Sequence, residues 1–358
     1  MAMTSRERVL AALQHQQPDR TPVFEYVLLS PVADGLLGRR YAADPANWPA
    51  LRAEKGREEA VRQMARDRVE LASLLGHDML YVTPNPSSTE MEQEGEGSEE
   101  AHSDDPVERL RRRNERGAQR SPYPPDDALF IYICLREEMA VRGLDLPILA
   151  PAYLHGVWTD VDLMQAMLLA PEVAQEHFAL ATRRGLALIE RYIALGIEQI
   201  GVGGDFAGNR LLISPRAYRE FIVPEVRTLS RAIHAAGRWA VNASDGNLWP
   251  VLDDFTAGCE VDGYLEIDLH AGMDLRRLKA TCGERVTLYG NLDCGNILSF
   301  GSVEDVRRHT LDCLQAGLGG GGHILCASNA ITASVSLRNY LAVVNAYREM
   351  YGLERLEV

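Results

Sequence analysis

The stretch "RWAVNASDGNLWPVL", residues 238–252, decides how the chain is read. The apolar run Trp239-Ala240-Val241 predicts a buried strand. A polar knot from Asn242 to Asn247 follows, and Leu248 opens an amphipathic helix. Strand, polar turn and helix together form the repeating unit of parallel α/β enzymes, and the turn is where such enzymes keep their chemistry.

The same grammar recurs on both sides of this stretch. Apolar runs stand at "LPILAPAYL" (146–154), "EQIGVGGD" (198–205), "DGYLEID" (262–268), "VTLYGNLD" (286–293) and "GHILCASN" (322–329). Helical segments separate them, ending at Gly196, Gly237, Gly258, Gly283 and Gly317. With Val23-Phe24 and "DMLYV" (78–82) the strand count reaches eight. That number predicts a distorted (β/α)8 barrel formed by the whole chain, 1–358, as a single domain. A doubly wound sheet is the alternative, although no GxGxxG turn follows the first strand. Residues 84–127 break the pattern: an acidic block, Glu90 to Asp105, precedes a basic one, Arg109 to Arg120. This segment is expected to be an irregular insertion, either a solvated excursion or a lid or docking flap.

Composition limits the function classes. The chain is 46% hydrophobic and 25% charged, with a net charge of -14, which disfavours a nucleic-acid groove or an anionic membrane surface as partner. Its six cysteines are scattered without a CxxC, as reduced thiols are rather than a disulfide framework. No apolar run is long enough to span a bilayer and no signal-type h-region opens the chain, so the cytoplasm is the expected compartment.

In a parallel barrel, active residues sit at the C-terminal ends of the strands. Those ends carry Asp205, Asp245, Glu266, Asn291, Asp293 and Asn329. Asp245 is a candidate general base, or simply an N-cap for the helix near Leu248. Glu266 is its candidate acid partner, or half of an ion pair with an arginine. Asp205 completes the catalytic set. Asn247, Asn291, Asn329, Tyr26, Tyr153, His155 and Phe206 are expected to contact substrate; the aromatic members fit a core role equally well. His323 and His77 stand at the starts of their strands, where structural roles prevail.

Five stretches, taken in order, carry a resemblance: "MTSRERVLAALQHQQPDRTPV", "LISPRAYREFIVPEVRTLSRAIHAAG", "SDGN", "LYGNLD" and "GGGHIL" followed by Asn329. Together they resemble the uroporphyrinogen decarboxylase superfamily, which holds the decarboxylase of haem synthesis and corrinoid-dependent methyltransferases. The resemblance implies a distorted (β/α)8 barrel. In the zinc methyltransferases the turn after this strand reads His-x-Cys-Gly; here the matching residues are Ala243-Ser244-Asp245-Gly246. The family's third ligand, a cysteine, corresponds to Asn329. Alanine cannot ligate, so the usual zinc site is expected to be absent and no bound metal or cofactor is expected. A rebuilt site from Asp245, Cys294 and Cys326 is the alternative, against two buried structural thiols.

The decarboxylase pattern departs as well. Its first strand leads into an Arg-Gln-Ala-Gly-Arg turn that holds the acidic arms of the porphyrinogen, whereas "TPVFEYVLLSPVADG" has Glu25 and Tyr26 and no arginine before Arg39. Its Gly-His-Gly histidine also corresponds to Asn329. "SDGN" and "SPRAYREFIVP" look closer to the methyltransferase branch. The resemblance therefore implies methyl transfer involving a small organic substrate or a methyl group carried by a partner corrinoid protein, with a homodimer left open. A decarboxylase or lyase working by Asp/Glu acid–base chemistry, and a non-catalytic ligand-binding barrel, are the alternatives.

Overall fold

A computed structural model of the chain describes residues 2–87 and 103–357. Seven short strands are present: β1 Leu80–Tyr81, β2 Ile148–Pro151, β3 Gln199–Gly203, β4 Trp239–Ala243, β5 Gly263–Leu265, β6 Thr287–Tyr289 and β7 His323–Ile324. They belong to one sheet whose order repeats the order of the chain. A doubly wound sheet reverses its strand order partway, so that alternative is excluded. β3 is buried along its whole length and β4 from Ala240 on, as parallel strands covered on both faces are.

Contacts group the chain into two compact units, one of residues 1–82, 130–149 and 264–358, the other of residues 83–129 and 150–263. In the first unit β1 pairs with the start of β2 (Leu80 with Ile148), and β6 with β7 (Leu288 with His323). The eighth expected strand, Val23-Phe24, is reduced to a bridge: Val23 pairs with Leu325 alone. Its position is nevertheless a strand's position. On one side Leu325 N donates to Pro22 O at 2.8 Å and Phe24 N to Leu325 O at 3.1 Å, and on the other Asp78 N donates to Val23 O at 2.7 Å. Beneath it, Asp78 is fully buried and accepts from Arg8 at 2.6 Å and from Arg20 at 3.0 Å, so its charge is paired on two sides.

In the second unit β3 and β4 run in register over five residues, from Gln199 with Trp239 to Gly203 with Ala243. The helices Pro171–Ala194 and Val223–Ala235 pack together there, and the π-helical turn Tyr218–Ile222 that leads into the second brings the Phe221 ring within 6.2 Å of Phe178. The expectation of an irregular 84–127 is corrected in part, because Pro106–Gln119 is a helix. Asp105 caps it by accepting from Val107 N, and Pro106 takes the first turn, where a missing N–H costs nothing. Its basic residues are not idle: Arg109 pairs with Asp162 at 2.5 Å and Arg113 with Asp160 at 2.9 Å. Most of the acidic block, and with it the lid reading, lies outside the described residues. Among the described residues no helix is long and apolar enough to cross a membrane.

Candidate functional site

In the second unit the end of β3 and the turn after β4 meet. Asp205 Oδ1 accepts from Asp245 N at 2.9 Å, which ties the two predicted carboxylates' segments together. Both residues are half-buried. No partner is recorded for Asp205 Oδ2 among the described residues, so one oxygen is left for a ligand. The backbone is packed to its limit here: Gly204 adopts φ +133°, and a Cβ on it would lie 2.8 Å from Gly156 N. Ser244 Oγ accepts weakly from Phe206 N at 3.4 Å and donates to the Asp245 carbonyl at 3.0 Å, stiffening the same turn.

Several expectations change at this point. The helix expected from Leu248 is present but irregular: a 3-10 turn, Trp249–Val251, with Pro250 in its first turn, runs on into the π-helix Asp254–Gly258. At its start Asn247 Oδ1 accepts from Trp249 N at 3.2 Å, so Asn247 helps turn the chain into it. Asn247→Ala should cost about 0.5–2 kcal/mol of stability, read in urea melts, as other cap deletions do. Phe206, expected at the substrate, is 1% exposed and stacks on Tyr218 with centroids 4.2 Å apart, so it is core. The His155 ring is fully buried and turned toward the helices, with Nε2 2.8 Å from Thr182 Oγ1. Tyr153 is partly exposed and lies across β3, where Gly201 leaves room for its ring.

The first unit holds the remaining candidates. Glu266, directly after β5, is buried and adopts φ 68°. A left-handed glutamate is strained by about 1–3 kcal/mol, and such outliers gather at functional positions. Asn291 is corrected: it is 1% exposed, with Nδ2 donating to Met273 O at 3.0 Å, a core role that leaves it out of reach of substrate. Asp293 Oδ1 accepts from Asn296 N at 3.0 Å, closing the turn after β6. Asn329 stays partly exposed, with Oδ1 accepting from Ala330 N. The Tyr26 ring packs on Tyr81 with centroids 4.4 Å apart.

The two thiols offered for a rebuilt zinc site, Cys294 and Cys326, are both free and buried. Burial pushes the Cys326 thiol well up, and Glu25, Cys294 and Glu266 push it the same way. Burial raises Cys294 too, and its Sγ lies 3.5 Å from Ser328 Oγ. Among the described residues no three His, Cys, Asp or Glu side chains form a group that could hold a metal ion.

One residue escaped the strand-end survey. Glu25 follows the Pro22–Phe24 segment as Asp205 follows β3. Its Oε1 accepts from Ala327 N at 3.0 Å and its Oε2 from the Tyr340 hydroxyl at 3.0 Å. Burial raises its carboxyl to about 7 against these two donors. A small cavity of about 20 Å³ adjoins it, lined by Phe24, Leu325, Cys326, Tyr340 and His77 among others. The strand-end rule applied to the first apolar run would have found it.

Comparison with known proteins bears on the family. The family model described as uroporphyrinogen decarboxylase (URO-D) matches residues 147–350. The uroporphyrinogen decarboxylase of Xanthomonas euvesicatoria pv. vesicatoria is 24% identical over 380 residues, covering 97% of this chain and 99% of the relative. That of Xanthomonas axonopodis pv. citri aligns to the same extent. A methyltransferase from Methanosarcina mazei superposes with a TM-score of 0.69 at 20% identity, over 98% of this chain and 99% of its own, and so shares the fold. The matched region takes in β2 to β7, with the Asp205–Asp245 contact and the Glu266 turn, and it is more than half of the sequence: the chain belongs to the uroporphyrinogen decarboxylase family.

Proposed function

We propose that the chain is a (β/α)8 enzyme of the methyl-transfer branch of this family, working on a small neutral or cationic methylated substrate or on a corrinoid-bound methyl group. The observation that carries the reading is Asp205: a carboxylate held by the Asp245 amide at 2.9 Å, with its second oxygen unspent. A fixed carboxylate favours a cation or a proton-bearing heteroatom and repels a polyanion. Asp205 binds and orients the heteroatom that carries the methyl group, and Asp245 takes or returns its proton. The zinc ligands of the thiol-activating methyltransferases are replaced by Ala243, Asp245 and Asn329, so substrate activation here falls to the carboxylates. A corrinoid, where one takes part, supplies the methyl-carrying cobalt from a partner protein.

Decarboxylation is the rival reading, supported by the full-length likeness to the two Xanthomonas decarboxylases. Methylcobalamin incubated with the protein and a small amine or thiol acceptor should lose its methyl group at a rate proportional to the protein. Release of carbon dioxide from uroporphyrinogen, with no demethylation, would replace the reading by its rival. Binding of these ligands without turnover would leave a ligand-binding barrel.

A further inference from the structure

In the second unit a hydrogen-bonded chain runs from the segment after β2 into the helices Pro171–Ala194 and Val223–Ala235. The His155 ring is fully buried and nearly parallel to Phe178, with centroids 6.2 Å apart. Its Nε2 lies 2.8 Å from Thr182 Oγ1, and that hydroxyl donates to Glu225 Oε2 at 2.5 Å. A hydroxyl carries a single proton. Given to Glu225, it leaves Oγ1 as an acceptor, so His155 Nε2 holds the imidazole proton. Burial, reinforced by His177 and Arg184, lowers the His155 pKa to about 4 and keeps the ring neutral. Nδ1 has no hydrogen-bond partner among the described residues, so the ring is anchored from its Nε2 side.

The backbone that carries this ring wraps Asp205. His155 N donates to Gly203 O at 2.9 Å, while Val157 N and Trp158 N donate to Asp205 O at 2.7 and 3.0 Å. Gly156 sits so close that a Cβ on it would lie 2.9 Å from Asp205 N. A shift of the ring is thus a shift of Asp205, because rigid backbone contacts join them with no slack to absorb it.

We propose that His155 is a positioning residue, and that the Glu225–Thr182–His155 chain fixes the Asp205 carboxylate through the 155–158 backbone. This rests on the reading of Asp205 as the substrate-facing carboxylate. It assigns His155 a role behind the site, since its ring is fully buried and its Nε2 is committed to Thr182.

The test needs no substrate. Asp245 N–H reports the site directly, because its acceptor is Asp205 Oδ1. Thr182→Val keeps the shape and removes the hydroxyl; Thr182→Ser restores it. Hydrogen exchange and amide chemical shifts of the free protein should show the Asp245 amide about tenfold less protected in Thr182→Val, beyond any fall at the β4 amide of Val241. Thr182→Ser should return both signals to the wild-type values. If Thr182→Val does not fold, Glu225→Gln weakens the same chain and should move the Asp245 amide in the same direction by less. Equal loss of protection at Asp245 and Val241, or none at either, would show that the chain only packs the helices, and would overturn the proposal. Methylcobalamin turnover is measured separately, so failure of the methyl-transfer reading leaves this outcome interpretable.

Discussion

Glu25→Gln should make the protein more stable in mild alkali and leave it little changed in mild acid. Burial lifts the Glu25 carboxyl from 4.5 to about 7 in the folded state. A carboxyl whose folded pKa is raised binds more protons folded than unfolded, so its contribution to stability falls as pH rises between those values. Below about pH 4.5 it is protonated in both states and its linkage contribution no longer changes. Above about pH 7 the folded protein must hold a buried anion, and the full penalty is in force. The size follows from the shift: about 3 kcal/mol at most, since one pKa unit is about 1.4 kcal/mol. Glutamine removes the charge and keeps a carbonyl oxygen for Ala327 N, while its amide can donate to the Tyr340 oxygen in place of accepting from it. The groups that face Glu25, namely Tyr340, Cys326 and Cys294, stay as neutral hydroxyl and thiols across this range, because burial raises all three. The check is a double difference: variant minus wild-type unfolding free energy from urea melts at about pH 5 and about pH 8.5. An increase of about 2–3 kcal/mol between the two is expected, and a flat difference would show that the carboxylate is ionised without penalty.

This prediction comes from a residue that the pattern of the chain places well and describes poorly. The parallel α/β character was legible, because apolar runs of strand length alternate with capped helical spacers. The Asp205 and Asp245 turns were legible for the same reason: each lies two residues past the end of a strand seeded by an apolar run. What the pattern does not give is the direction of each side chain. Successive residues along a strand point to opposite sides, toward the sheet interior or toward the helices. The strands here are two to five residues long, too short for an alternation to declare itself. Hence Phe206, one position after Asp205, is core, and Asn291 and His155 are committed to Met273 and Thr182. Asp245 and Asn247 are both good cap residues, and only the backbone path shows that Asn247 reaches Trp249 N. The helix Pro106–Gln119 was hidden by its composition: with Leu110 and Asn114 its buried residues, it is held largely by ion pairs to Asp160 and Asp162. Hydrophobic periodicity cannot report a helix fastened in that way.

Asp205→Asn isolates the charge on which the proposed function depends. Asparagine keeps an oxygen where Oδ1 accepts from Asp245 N, so the 2.9 Å bond that joins the β3 end to the β4 turn survives. The packing of Gly156 and Gly204 against this backbone is untouched, because no atom is added. Melting temperature should therefore change little, by less than about 1 kcal/mol in stability. The second position changes from a carboxylate oxygen, which binds a cation or accepts a proton, to an amide that does neither. Loss of a positioned acid–base or ion-pairing group lowers turnover by about 10²–10⁴-fold. That loss should appear in methylcobalamin demethylation, with binding of a neutral substrate analogue affected less than binding of a cationic one. Asp245→Asn serves as the comparison: it leaves the Asp245 amide in place, so it tests the second carboxylate without loosening the first. A large loss with Asp205→Asn and a small one with Asp245→Asn would place substrate binding at Asp205 and leave Asp245 as its support through the backbone. Wild-type turnover by both variants would remove the carboxylates from the chemistry and return these turns to architecture.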